Sequence, residues 1–272
     1  MTDFSYAVDA DGVATITWDV PRKSMNVMSL AGIAELKGLV EDALADDAVK
    51  GVILTSGKDS FAGGMDLNTI SALSKGAQNP ARDVFDFTME GHARMRRIER
   101  AGMDPKTLKG GKPIAAALPG TALGIGLELP LACHRIFAAD NPKAKIGLPE
   151  IMVGIFPGGG GTTRLVRKLG VLAAAPYLLE GKLLAPAKAA KAGLIDECVP
   201  ADELLARAKA WVLEAKDADL VKPWDQKGYK MPGGAPYHPA GFMTFVGASA
   251  MVNGKTKGVY PAAKALLSSV YE

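Results

Sequence analysis

PIAAALPGTALGIGLELPLAC, residues 113–133, decides the fold class. Pro113–Leu118 is a short apolar run of the kind that forms a strand buried on both faces. Gly120–Gly126 is a turn punctuated by three glycines, and the apolar residues through Cys133 read as a helix. A buried strand running into a glycine-rich turn that opens a helix is a unit of α/β architecture. The same design occurs once before it, where the apolar run Gly51–Thr55 enters the loop Ser56–Asp66.

Working outward, Asp11-Gly12 is a two-residue turn signal. It precedes Val13–Trp18, which alternates as a half-buried strand does, so a β-hairpin opens the chain. Ser29 is a good N-cap for a helix with apolar residues Leu30, Ile33, Leu36, Leu39, Val40, Ala43 and Leu44, ended at Asp46-Asp47. Residues 82–100 read as a charged helix and Gly102–Lys112 as a breaker. Further strands are expected at Arg135–Ala139 and Ala144–Gly147. Helices are expected at Gly160–Leu169, Ala173–Leu179, Pro186–Ala192 and Asp202–Ala215. Residues 222–239 carry four prolines with Trp224, Tyr229 and Tyr237, an extended packed loop, and two helical stretches follow.

The chain has 272 residues, of which 48% are hydrophobic and 22% charged. That is a globular composition and excludes a disordered or fibrous chain. A chain of this size buries about 70–75% of its unfolded surface and needs no disulfide or metal staple. The two cysteines, Cys133 and Cys198, have no C-x-x-C spacing, which fits a reducing compartment. A net charge of +3 without a basic, aromatic-interleaved stripe speaks against nucleic acid. The uncharged stretch Pro113–Leu127 is broken by proline and glycines and is too short to span a bilayer. The N-terminus shows no basic and apolar leader. The reading is a cytoplasmic protein without a membrane or nucleic-acid partner.

Chemistry points to three segments. In Phe61–Leu67 and in Gly120–Glu128, glycines let backbone N–H groups turn outward, and a helix N-terminus adds positive dipole. Two such groups aimed at one point would form an oxyanion hole, although ordinary loop chemistry explains either turn alone. Glu150 and Glu128 are lone carboxylates in apolar runs, the setting that raises a carboxyl pKa and suits acid–base work. Taken singly, each reads first as an exposed or ion-paired residue, and it is the two together beside two N–H-donating turns that point to chemistry. The run Gly158–Gly161 is not followed by Lys-Ser/Thr, so it is not a P-loop, and no dinucleotide fingerprint occurs. His134 reads as structural, while His92 and His238 have no Asp, Glu or Cys at catalytic spacing in the sequence. Lys23 is a candidate phosphate contact.

At these segments the chain resembles the enoyl-CoA hydratase/isomerase (crotonase) superfamily. The motifs are PRKSMN at 21–26, FAGGMDL at 61–67, GTALGIGLEL at 120–129, GLPEIMVGIFPGGGGTTRL at 147–165 and GKLLAPAKAAKAGLIDECVP at 181–200. The tail from Trp224 is similar to the hydratase portion of multifunctional fatty-acid oxidation enzymes. The resemblance implies an α/β spiral of repeated ββα units over residues 1–200. A helical C-terminal appendage, residues 201–272, would then be cut before a dehydrogenase domain.

It further implies hydration of trans-2-enoyl-CoA, with Glu128 and Glu150 as paired catalytic carboxylates. Met65 and Ile125 would be the oxyanion-hole donors. Lys23, Ser24, Met25, Ala62, Gly63, Gly64, Asp66 and Leu67 would hold CoA. Gly124, Pro149 and Gly158 would line the substrate site. No metal and no cofactor beyond the substrate's own CoA is implied. A homotrimer or hexamer would form if the chain stands alone, and part of a multifunctional complex otherwise. The alternatives are 3-enoyl-CoA isomerisation with a single carboxylate, or a non-catalytic binding module of the same fold. Three residues depart from the family pattern: Pro119 for a small polar residue, Ile125 for a frequent glycine, and Pro130. The last is expected to kink the helix and turn the aim of Glu128.

Overall fold

Strands β1 (Phe4–Val8) and β2 (Val13–Trp18) form the expected antiparallel hairpin, with Phe4 opposite Trp18. Gly12 takes φ +82° in its turn. This is a computed structural model of the chain, and it describes residues 2–66, 68–69 and 79–272. Helix α1 (Leu30–Ala45) starts where Ser29 accepts the Gly32 N–H at 3.0 Å, and it crosses over to β3 (Gly51–Ser56). Helix α2 (Pro80–Arg100) begins two residues before the expected start. Pro80 fits the first turn, where its missing N–H costs nothing, and Asn79 caps it. Ala101 and Gly102, both at positive φ, stop it.

Strand β4 (Ile114–Leu118) leads to the two-residue β5 (Ala122–Leu123) and helix α3 (Ile125–Ala132). Strand β6 (Arg135–Ala139) leads in the same way to β7 and then to helix α4 (Gly161–Leu169). Strand β7 is only Ile146–Gly147, shorter than expected, because its pairing with β5 spans two residues. The strand–short strand–helix unit thus repeats. The long strands, with β8 (Glu197–Val199), make one six-stranded sheet in the order β1-β2-β3-β4-β6-β8, parallel throughout except for the first hairpin.

Alternation along these strands divides two cores. Ile16, Leu54, Ala116, Leu118 and Ile136 face the main core under the helices. Val13, Ile53, Ala115, Ala117 and Phe137 face the other way, covered by Leu204, Ala208 and Val212. Those last three residues lie on helix α5 (Leu204–Glu214), which follows a 3-10 turn at Ala201–Glu203. The C-terminal helices, Pro239–Thr256 and Pro261–Tyr271, pack Val252, Ala263 and Leu267 onto Ile151. No described helix is long and apolar enough to cross a membrane.

Candidate active site

The loop after β3 is built around Asn26, a fully buried side chain. Its amide nitrogen donates to the carbonyls of Trp18 and Phe61 at 2.8 and 3.0 Å, and its oxygen accepts the Val20 N–H at 2.9 Å. Its own carbonyl accepts the Gly63 N–H at 2.8 Å. A buried polar group with this many partners rigidifies its surroundings. Asn26 lies in the 21–26 motif, but nothing local in the sequence announced that it organises a loop some forty residues away.

Met65 forms a parallel bridge with Met28. The bridge uses the Gly64 carbonyl and the Asp66 N–H, both at 2.9 Å from Met28, and leaves the Met65 N–H out of the pairing. A second bridge joins Ala62 to Ala122 and brings the two glycine turns side by side. A Cβ on Gly124 would stand 3.7 Å from the Gly64 Cα, and Gly124 has φ +57°, so glycine is required there. Ile125 follows as the first residue of α3, with helical φ and an N–H that has no intrahelical acceptor.

Glu128 sits on the first turn of α3, only 3% exposed. Its Oε1 accepts the Gly161 N–H at 2.8 Å. Glycine is dictated at this turn too, since a Cβ on Gly159 would fall 2.8 Å from Glu128 Oε2. Burial pushes the Glu128 carboxyl upward, opposed by the N–H groups of Gly161 and Gly159 and by the charge of Arg164. Pro130 is tolerated inside α3: the Glu128 N–H bonds the Gly124 carbonyl at 2.9 Å and the helix ends at Ala132. The hydrogen bond lost to proline lies after Glu128, and the carboxylate is anchored from the opposite wall.

Glu150 lies in the 3-10 turn Pro149–Val153. Its Oε1 would be 3.1 Å from a Cβ on Gly124, and its buried Oε2 has no hydrogen-bond partner among the described residues. Burial, and then the charge of Glu128, push its pKa up to about 8. Burial thus pushes both carboxyls toward the protonated form, and facing one cavity they titrate as a pair.

Both carboxylates border one cavity of about 1310 Å³. Of the residues expected there, Gly63, Gly64, Met65 and Asp66 line it from the first loop. Gly124 and Ile125 line it from the second, Pro149 and Gly158 from the third, and Lys23 stands at its edge. Lys23 pairs with Asp66 at 3.1 Å. Ser24, Met25 and Ala62 do not border the cavity. Ser24 is exposed, Met25 packs its sulfur against Gly63, and Ala62 is a fully buried contact of the bridge. Leu67 lies outside the described residues. His134 is structural: Nδ1 accepts the Ile114 N–H at 2.8 Å, and burial lowers its pKa to about 3. Sequence reasoning missed the far wall, formed by one face of α1 (Ile33, Leu36, Val40) and one of α2 (Phe87, Ile98). The helical spacing of those residues was visible, but an apolar stripe reads as core.

Residues 9–219 match the family described as enoyl-CoA hydratase/isomerase, and the chain belongs to that family. It is 35% identical over 271 residues to the fatty acid oxidation complex subunit alpha of Shewanella amazonensis, covering 99% of this chain and 36% of that one. With the corresponding subunit of Idiomarina loihiensis it shares 37% identity over 270 residues, again 99% of this chain and 36% of the relative. The chain thus spans about a third of the length of these relatives. Among solved structures, an enoyl-CoA hydratase from Bacillus anthracis superposes with a TM-score of 0.65 at 29% identity, covering 78% of this chain and 76% of that one. The fold is the crotonase fold.

Proposed function

We propose that the chain hydrates trans-2-enoyl-CoA to 3-hydroxyacyl-CoA in fatty-acid oxidation. The observation that carries this reading is the pair of carboxylates, Glu128 buried and Glu150 half-buried, from two different elements on one cavity beside two backbone N–H groups. Hydration needs a base for water and an acid for carbon, and the two environments divide those tasks. Glu128, with two N–H donors and a nearby guanidinium, is the carboxylate that takes a proton from water as its oxygen adds to C3. Glu150, protonated and with one oxygen unpartnered, delivers a proton to C2. The N–H groups of Met65 and Ile125 stabilise the negative charge that develops on the thioester oxygen.

Lys23 and the Gly63–Asp66 loop would hold the CoA portion at the cavity edge. The acyl chain would run between α1 and α2. From Ile33 to Glu41 that wall covers about 12 Å at 1.5 Å per helical residue. Extended chains advance about 3.6 Å per three bonds, so about ten bonds fit. There Arg97 grips Glu41 in a bidentate pair at 2.7–3.1 Å, between the two helices.

The test is loss of conjugated-thioester absorbance with short, medium and long trans-2-enoyl-CoA, for the wild type and for Glu150→Gln. Chain-dependent hydration in the wild type that disappears in the variant supports the reading. If the wild type converts 3-enoyl-CoA to 2-enoyl-CoA but hydrates neither, the activity is isomerisation.

A further inference from the structure

Behind Glu128 lies a group of buried charges that the proposed chemistry does not use. Glu99, near the end of α2, is 3% exposed, and Arg164, on α4, is 7% exposed. Arg164 Nε donates to Glu99 Oε1 at 2.9 Å. The other oxygen of Glu99 accepts from Arg96 Nη1 at 2.9 Å, and Arg96 also forks onto Asp225 at 2.7 and 2.5 Å. Asp225 belongs to the proline-rich stretch after α5. The chain of charges therefore runs from the C-terminal region to the site.

Its last link is the glycine turn. Arg164 Nη1 donates to the Gly159 carbonyl at 3.2 Å, and a Cβ on Gly160 would lie 2.0 Å from that nitrogen. The turn that Arg164 grips is the one whose Gly161 N–H holds Glu128 at 2.8 Å. A buried ion pair adds little stability over apolar residues of the same volume. What this pair holds is the more telling fact about it.

We propose that Arg164 is a positioning residue for Glu128: anchored by Glu99, and through it by Arg96 and Asp225, it locks the Gly158–Gly161 turn in place and supplies the positive charge that favours the Glu128 carboxylate. This rests on the reading of Glu128 as the base. The charged groups around Glu128 are few. Glu150 faces it from the 3-10 turn and Arg164 from α4. Glu99 stands beyond Arg164 on α2, paired with Arg96. Lys222 caps the far end of α3, donating to the carbonyls of Leu131 and Cys133. Among these, Arg164 bears on Glu128 as the opposing positive charge.

The experiment compares pH profiles of hydration for the wild type, Arg164→Met, Arg164→Lys and Glu99→Gln, with Glu128→Gln as reference. The Glu128 carboxyl is followed in parallel by carbon NMR titration, assigned by its loss in Glu128→Gln. Losing a close opposite charge raises a carboxyl by about one unit or more. Arg164→Met should therefore move the acid limb and the Glu128 titration upward together, with kcat falling and KM unchanged. Arg164→Lys keeps the charge but not the fork, so the titration should stay near that of the wild type while kcat falls. Glu99→Gln removes the anchor of Arg164, so kcat should fall at unchanged KM. If Arg164→Met does not fold, Glu99→Gln decides: a lower kcat at unchanged KM supports the proposal, and a wild-type kcat overturns it. A folded Arg164→Met with the wild-type limb and titration also overturns it. If Glu128→Gln abolishes hydration while these shifts are missing, only the role of Arg164 fails. Hydration retained in Glu128→Gln removes the base reading and this proposal with it.

Discussion

Glu128 Oε1 accepts the backbone N–H of Gly161 at 2.8 Å, joining two residues 33 positions apart. Glu150 has no such support for its Oε2. Two carboxyls bordering the same cavity are thereby made unlike, one held as an acceptor of backbone N–H groups and the other without that support. The predictions below follow from that difference.

Glu128→Gln should reduce hydration by about 10²–10⁴, the usual range for a positioned acid or base. Isomerisation of 3-enoyl-CoA should survive, because Glu150 alone can shuttle the proton. The two rates, measured on the same preparation, separate the roles. Equal losses would show that the carboxylates act as one unit.

Burial and the neighbouring Glu128 push Glu150 up to about 8 against 4.5 as a free carboxyl, so kcat/KM should fall above about pH 8 as the donor ionises. The same group bears on stability. Between those two values the folded chain binds more protons than the unfolded one, so stability falls as pH rises through the window and levels off above it. Glu150→Gln removes the penalty. Its Tm should exceed that of the wild type by more at pH 8 than at about pH 5, as followed by circular dichroism.

Ile125→Pro deletes one N–H while leaving the backbone helical, since proline is accepted at the first helical position. The expected loss in kcat is about 10²–10³, or about 2.7–4 kcal/mol, as for other single oxyanion donors. Ile125→Gly keeps the N–H and should keep most of the rate. If both variants behave alike, the side chain and not the N–H is what matters.

Replacing Glu41 and Arg97 together by alanine opens the end of the corridor between α1 and α2. The ratio of kcat/KM for long-chain over medium-chain enoyl-CoA should rise. Both side chains are partly exposed, so the stability change should stay within about 1 kcal/mol. An unchanged ratio would mean that the acyl chain takes another path.

Much of the fold was legible because its signals are local. Asp11-Gly12, the Ser29 cap and the apolar runs at 51–55 and 113–118 each specify their element within a few residues. The glycine turns showed where N–H groups turn outward, and the lone glutamates in apolar runs showed where a carboxyl would be perturbed. By itself, then, the sequence determined the elements, their alternation and the identity of the two carboxylates. It could not say how the two carboxylates differ, because that depends on Gly161, Gly159 and Arg164 closing over Glu128 while Glu150 Oε2 has no partner among the described residues. Nor could it show that Pro130 leaves the aim of Glu128 intact, that Asn26 braces the Met65 loop, or that Asp225 reaches the site through three further side chains. Those were decided by tertiary structure alone. Hydrogen bonds and charges act over a few ångströms of space, and only packing brings residues 99, 128, 164 and 225 within that reach.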